Sequence, residues 1–196
     1  YPVAYAVNSP NLIAEPFASA KVLWDEQNLY FAFTVKDTDL HVPDLERDAR
    51  VFTFDTAEVF IFANRRWAVY WETNFSPSKS IYDALMYKFS DKAWGHARPE
   101  ATLRGLRGGA TVRGTSEQPD DTDEGYTVEF VLPLSEIPDM QLPAKPGDEL
   151  GLLLGIADKD MVDAEKSQLK FYSHTPTLLS FHNLETYGKL RLMPAE

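Results

Sequence analysis

The chain has 196 residues, 44% of them hydrophobic and 25% charged, with a formal net charge of −11. That composition supports a sizeable core and excludes global disorder, while the acidic balance argues against a nucleic-acid partner, which needs a positive patch for phosphates. The absence of cysteine excludes disulfides, thiolate chemistry and cysteine-held metals, and no apolar run reaches the length of a membrane span.

In chain order, "AKVLWDEQNLYFAFTV" (20–35) reads as two strands around the turn Asp25–Asn28, with apolar residues alternating on both sides. "KDTDLHVPDLERDAR" (36–50) is a polar loop with room for one helical turn. "AEVFIF" (57–62) and "WAVYWETNF" (67–75) are two more strands, joined through Asn64, Arg65 and Arg66. "SIYDALMYKF" (80–89) reads as a strand that can run into irregular structure, and "GGATVRGT" (108–115) as a short strand after a glycine pair. "EQPDDTDEG" (117–125) is an acidic turn. "YTVEFVLPL" (126–134) alternates cleanly, and "PLSEI" offers a single helical turn. "DELGLLLGIAD" (148–158) is an apolar strand after a Pro-Gly turn, and "YGKLRLM" (187–193) closes the chain.

Many short strands separated by turn signals predict an all-β fold: an antiparallel β-sandwich of jelly-roll or immunoglobulin-like type, with at most short helical turns. No repeat, linker or low-complexity segment divides the chain, so residues 1–196 are expected to form one domain. The sequence begins at Tyr1 without an initiator methionine, as a trimmed or processed chain would.

Strand alternation raises a question about Glu58. Val59 and Ile61 share one face of the predicted strand; Glu58, Phe60 and Phe62 share the other. If the next strand is its neighbour, Glu72 and Asn74 join Glu58 on that second face. Two carboxylates and an amide among aromatic residues can accept and donate hydrogen bonds to sugar hydroxyls. A solvated outer sheet face is the competing reading. Trp94, in a Gly/Pro-flanked loop, can stack on a sugar ring or plug the end of the sandwich. A glycosidase acid pair is a weaker reading of the same acids, and no nucleophile-elbow, zinc-protease or phosphate-loop motif supports an enzyme. The acidic stretches "KDTDL", "PDDTDEG" and "DKDMVDAE" offer the oxygen ligands calcium prefers, or are ordinary Asp-rich turns.

Several segments, in this order, carry a resemblance: "KVLWDEQNLYFAFTVKDTDL", "ERDARVFTFDTAEVFIF", "YWETNFSPSKSIYD", "GTSEQPDDTDEGYTVEFVLPLSEI", "PGDELGLLLGIADKD" and "FHNLETYGKLRL". The chain resembles the family 9 carbohydrate-binding modules within the wider DOMON-like β-sandwich group. The resemblance covers most of residues 20–192. It implies a secreted, periplasmic or cell-surface module that binds an oligosaccharide or polysaccharide without catalysis, alone or attached to a larger polysaccharide-acting protein. Carried over by position, Glu58 is the sheet-face acid, Asn74 the amide of the next strand, and Phe52 stands where many relatives have a tryptophan. Phe181 and His182 fall near the expected mouth. Structural calcium is also implied, with no ligands assigned. Two departures stand out: Leu153 and Ile156 align where many relatives carry an Asn and an Arg, and Tyr126 replaces another common Trp. The alternatives are a structural or protein-interaction domain of an envelope protein, and a b-type haem domain using Met86 and His182 as axial ligands.

Overall fold

A computed structural model describes residues 1–63, 69–87, 96–98, 100–116, 118, 121–163 and 166–194. Its strands are β1 (Pro2–Val3), β2 (Tyr5–Ala6), β3 (Ala18–Trp24), β4 (Asn28–Val35), β5 (Thr56–Phe62), β6 (Val69–Phe75) and β7 (Ile81–Tyr87). They continue as β8 (His96–Arg98), β9 (Arg107–Arg113), β10 (Gly125–Pro133), β11 (Glu149–Asp163), β12 (Lys166–Ser173) and β13 (Gly188–Arg191). Helical structure among the described residues is confined to single 3-10 turns, one of them at Leu134–Glu136 where "PLSEI" predicts it. None is long and apolar enough to cross a membrane.

Two antiparallel sheets face each other. One runs β1-β3-β4-β10-β9; the other runs β2-β12-β11-β5-β6-β7-β8, with β13 also paired to β11. The all-β sandwich expected from the turn spacing is therefore the fold. The β3–β4 turn forms because the Asp25 carboxylate accepts from the amides of Gln27 and Asn28, at 2.8 and 2.7 Å.

The core between the sheets follows from alternation. β4 turns Leu29, Phe31, Phe33 and Val35 inward, and β10 turns Tyr126, Val128, Phe130 and Leu132 to meet them. From the other sheet come Val59 and Ile61 of β5, Trp71 and Phe75 of β6, and Leu152 and Leu154 of β11. Phe130 joins the layers: its ring lies 5.2 Å from Phe31 and 5.3 Å from Phe75, stacked on both. Tyr126 belongs to this interior.

Two elements depart from the sequence reading. "DKDMVDAE" is largely not a loop: β11 continues to Asp163 and turns back as β12, a strand that the polar run 166–170 disguised. Cross-strand charge holds this hairpin, with Lys170 Nζ 2.8 Å from Asp160. The short strands β1, β2 and β8 were also unanticipated, being too brief to show a period.

β5 has no solvated face, since every one of its residues is buried. Its second face lies under residues 174–187, which return across the sheet. This segment is pinned by the His174 amide to the Leu154 carbonyl and by the Leu154 amide to His174 Nδ1, both at 3.0 Å. It carries Phe181 and Leu184 onto Phe60, Phe62, Tyr70, Met86 and Leu153, forming a second apolar layer. Glycine makes room for it: a Cβ on Gly155 would lie 2.8 Å from the Phe181 ring, and one on Gly151 would lie 2.0 Å from Phe62.

Candidate functional site

A cavity of about 370 Å³ opens between this second layer and the sheet. Phe52, Glu58, Glu72, Tyr82, Phe181 and His182 line it, together with apolar residues that include Phe60, Met86 and Phe171. β5 and β6 form its floor. Antiparallel register sets Glu58 opposite Asn74 and Phe60 opposite Glu72, so the three polar side chains lie diagonally on one face. On one flank, Phe52 leaves the 3-10 turn Val51–Thr53 and meets Tyr82 of β7 edge-on at 5.1 Å. On the other, Phe181 lies over Gly155 of β11 and against Phe171 of β12, 5.6 Å between ring centres.

The polar floor is a connected ribbon. The Tyr70 hydroxyl is 2.9 Å from His182 Nδ1, and His182 Nε2 is 4.0 Å from Glu72. Asn74 Nδ2 donates to Glu72 Oε1 at 3.1 Å. Two acceptors in this ribbon, Glu58 Oε1 and Asn74 Oδ1, are buried without a hydrogen-bond partner, an expensive state for polar atoms unless a ligand or water completes them. Burial, reinforced by the charge of Glu72, pushes the Glu58 carboxyl well above its ordinary range. Burial also raises Glu72 to about 7 against the opposing hydrogen bond from Asn74. It lowers His182 to about 4, so that imidazole is neutral near pH 7. The direction of the Tyr70–His182 Nδ1 hydrogen bond is set by the imidazole tautomer.

Five predicted site residues thus line one cavity: Phe52, Glu58, Glu72, Phe181 and His182. Asn74 is fully buried beside them and holds Glu72. Trp94 lies outside the described residues. Leu153 does face this side, paired with Phe60. Ile156 does not: it pairs with Ala57 and points into the core, and Gly155 is the residue opposite Glu58. The one-residue difference exchanges the faces, because strand side chains alternate. Tyr82 and Phe171 were not singled out from sequence. Tyr82 pairs with Asn74, so alternation along "SIYDALMYKF" carries the signal; Phe171 lies in the disguised strand β12.

A second cluster sits at the end of the sandwich. Asp37, just after β4, Asp55, just before β5, and Asp158 of β11 place carboxylate oxygens within 4.8 Å of one another. Asp37 and Asp158 come from two of the acidic stretches named above. Asp55 already accepts from the backbone amides of Lys159, at 2.7 Å, and His41. Burial pushes Asp55 to about 9, with repulsion from Asp37 and Asp158; it pushes Asp158 to about 7, with repulsion from Asp160 and Asp37, and Asp37 to about 6, with repulsion from Asp160 and Asp39. The Tyr126 hydroxyl, which feels the charge of all three, is buried without a partner. Three converging carboxylates and an orphaned hydroxyl form an all-oxygen donor set that fits a hard cation such as calcium.

Known proteins share this framework. A putative carbohydrate-binding protein from Bacteroides uniformis superposes with a TM-score of 0.68 at 14% identity, over 97% of this chain and 84% of that one. A carbohydrate-binding module of family 9 from Caldicellulosiruptor kristjanssonii, solved with cellotriose, gives a TM-score of 0.62 at 16% identity, over 93% of this chain and 79% of that one. In sequence, the chain is 26% identical over 176 residues to endo-1,4-beta-xylanase C of Paenibacillus barcinonensis, covering 90% of this chain but only 14% of the xylanase. Residues 4–195 match the family described as carbohydrate family 9 binding domain-like, and the chain belongs to that family.

Proposed function

We propose that the chain binds an oligosaccharide or polysaccharide reversibly in the cavity over β5 and β6, without catalysis. The observation that carries this reading is the cavity itself. It joins a polar floor with unsatisfied acceptors to aromatic flanks at Phe52 and Phe181, the combination that recognises a pyranose through hydroxyl hydrogen bonds and ring stacking. Glu58, Glu72 and His182 meet the hydroxyls; Asn74 positions Glu72. Trp94 is proposed as an additional stacking residue on the basis of its sequence alone.

The chemistry of the floor speaks against hydrolysis. A glycosidase needs one carboxylate held ionised as nucleophile or base, whereas burial raises both Glu58 and Glu72. The haem alternative fares less well too. Met86 and His182 line the same cavity, but one imidazole nitrogen of His182 is engaged by Tyr70 and the other is turned toward Glu72.

We also propose a structural calcium held by Asp37, Asp55 and Asp158, which would fasten the loop after β4 to β5 and β11 and relieve the repulsion among the three acids. The small share of the xylanase that is matched fits a module attached to a larger polysaccharide-acting protein outside the cytoplasm.

The test is a glycan-array screen of the purified domain, with calcium and with chelator. A hit that weakens in a folded Glu58→Gln variant supports the reading. A hit indifferent to Glu58, or a blank from folded, calcium-loaded protein, overturns it.

A further inference from the structure

We propose that the cavity selects a pyranose bearing a protonated amine, as in a glucosamine-type oligomer, over neutral and anionic sugars. This rests on the carbohydrate-binding reading above and concerns the ligand's charge.

The floor is built almost wholly of acceptors. Glu58 and Glu72 are 2% and 7% exposed, and the fully buried Asn74 stands between them. Glu58 Oε1 and Asn74 Oδ1 are buried with no partner. Among the described residues, no Lys or Arg lines the cavity. The groups facing the two carboxylates are His182 and Tyr187 from the covering segment, Tyr70 of β6 and Tyr82 of β7. Arg50 stands at the rim, its guanidinium 5.3 Å above the Phe52 ring. Among the described residues no cation counts among the influences on either acid, and both are raised by burial. Both carboxyls hold their protons more tightly than free ones, and a bound cation is the partner that lets the pair ionise.

Three ligand types follow different paths. A neutral sugar donates hydroxyl protons to Glu58 Oε1 and Asn74 Oδ1 and binds. An ammonium group does the same through charge-assisted hydrogen bonds, about twice as strong as neutral ones, and neutralises the pair. A uronate adds a third carboxylate and is repelled.

Calorimetry decides this with four disaccharides: the β-1,4-linked dimers of glucosamine, N-acetylglucosamine and glucose, and digalacturonate. The expected order is glucosamine dimer tightest, by about tenfold over cellobiose. The N-acetylated dimer, with the same skeleton and no charge, should lose that advantage, and digalacturonate should give no heat. Glu72→Gln should abolish the preference, whereas Glu129→Gln, on the outer face of the opposite sheet, should retain it. Equal loss in both variants would mean general attraction to an acidic protein and would overturn the proposal. Cellobiose binding as tightly as the glucosamine dimer would overturn it and leave carbohydrate binding standing. Silence from all four dimers, with folded protein, would count against both readings. Should Glu72→Gln fail to fold, the comparison of free and N-acetylated amine on the unaltered protein still decides.

Discussion

Glu72 carries a penalty that can be measured as stability. Its carboxyl is raised from 4.5 to about 7, chiefly by burial. Below pH 4.5 folded and unfolded chains both hold the proton, and the group costs nothing. Between 4.5 and about 7 the folded protein retains a proton that the unfolded chain releases, so stability falls as pH rises. Above about 7 both states are ionised and the full cost is present, roughly 3 kcal/mol at about 1.4 kcal/mol per pH unit. Glu72→Gln keeps an acceptor for Asn74 and removes the titration. It should match the unaltered protein near pH 4 and exceed it by about 3 kcal/mol near pH 8.5, roughly 6–12 °C in Tm for a chain of this size. Relief of Glu58, which feels the charge of Glu72, adds to the gain at the alkaline end. Urea denaturation followed by tryptophan fluorescence across that pH range reads the difference directly. Parallel stability curves for the two proteins would refute the reasoning, because they would mean that Glu72 is solvated and the cavity floor is not closed as described.

Other outcomes follow from the same structure. Calcium should raise Tm relative to chelator, by about 2.7 kcal/mol of stability at a hundredfold excess over Kd, and Asp55→Asn should remove most of that response; scanning calorimetry of both proteins checks it. Gly155→Ala should displace the Phe181 ring, since its Cβ would lie 2.8 Å from it, and should weaken ligand binding while the circular dichroism spectrum stays that of the parent. Asp83→Ala leaves the buried Leu103 amide without its acceptor, while the half-exposed Arg47 guanidinium keeps the Leu103 carbonyl and Thr102, and should cost about 1–3 kcal/mol in chemical denaturation.

Strand period and turn chemistry are local properties, and they made the sandwich legible. "YTVEFVLPL" and "AEVFIF" alternate as strands must, Asp25 begins a turn, and "PLSEI" forms its single helical turn. The same period sets Glu58, Glu72 and Asn74 on one face, as the strand register bears out. It failed at Lys166–Ser173, where five mostly polar residues open the strand and cross-strand charge, not apolar alternation, specifies the hairpin. The resemblance to relatives, and not the period, assigns Ile156 to the site: three residues from Leu153, it takes the opposite face and lies in the core.

What covers Glu58 is a different kind of fact. Alternation gives a side chain its face, but what lies opposite depends on chain returning from far away. Residues 174–187 fold back over β5 because His174 engages Leu154 and because glycine at 151 and 155 leaves space for aromatic rings. The Asp37, Asp55 and Asp158 cluster arises likewise, from three distant segments meeting at one end of the sandwich. Sequence by itself determined the sheet faces and the residue types upon them, since a strand's period is a property of the backbone. Only the tertiary structure decided that one face is covered by a returning segment over a cavity lined with unpartnered carboxylate and amide oxygens, because burial is set by the packing of segments that no local pattern relates.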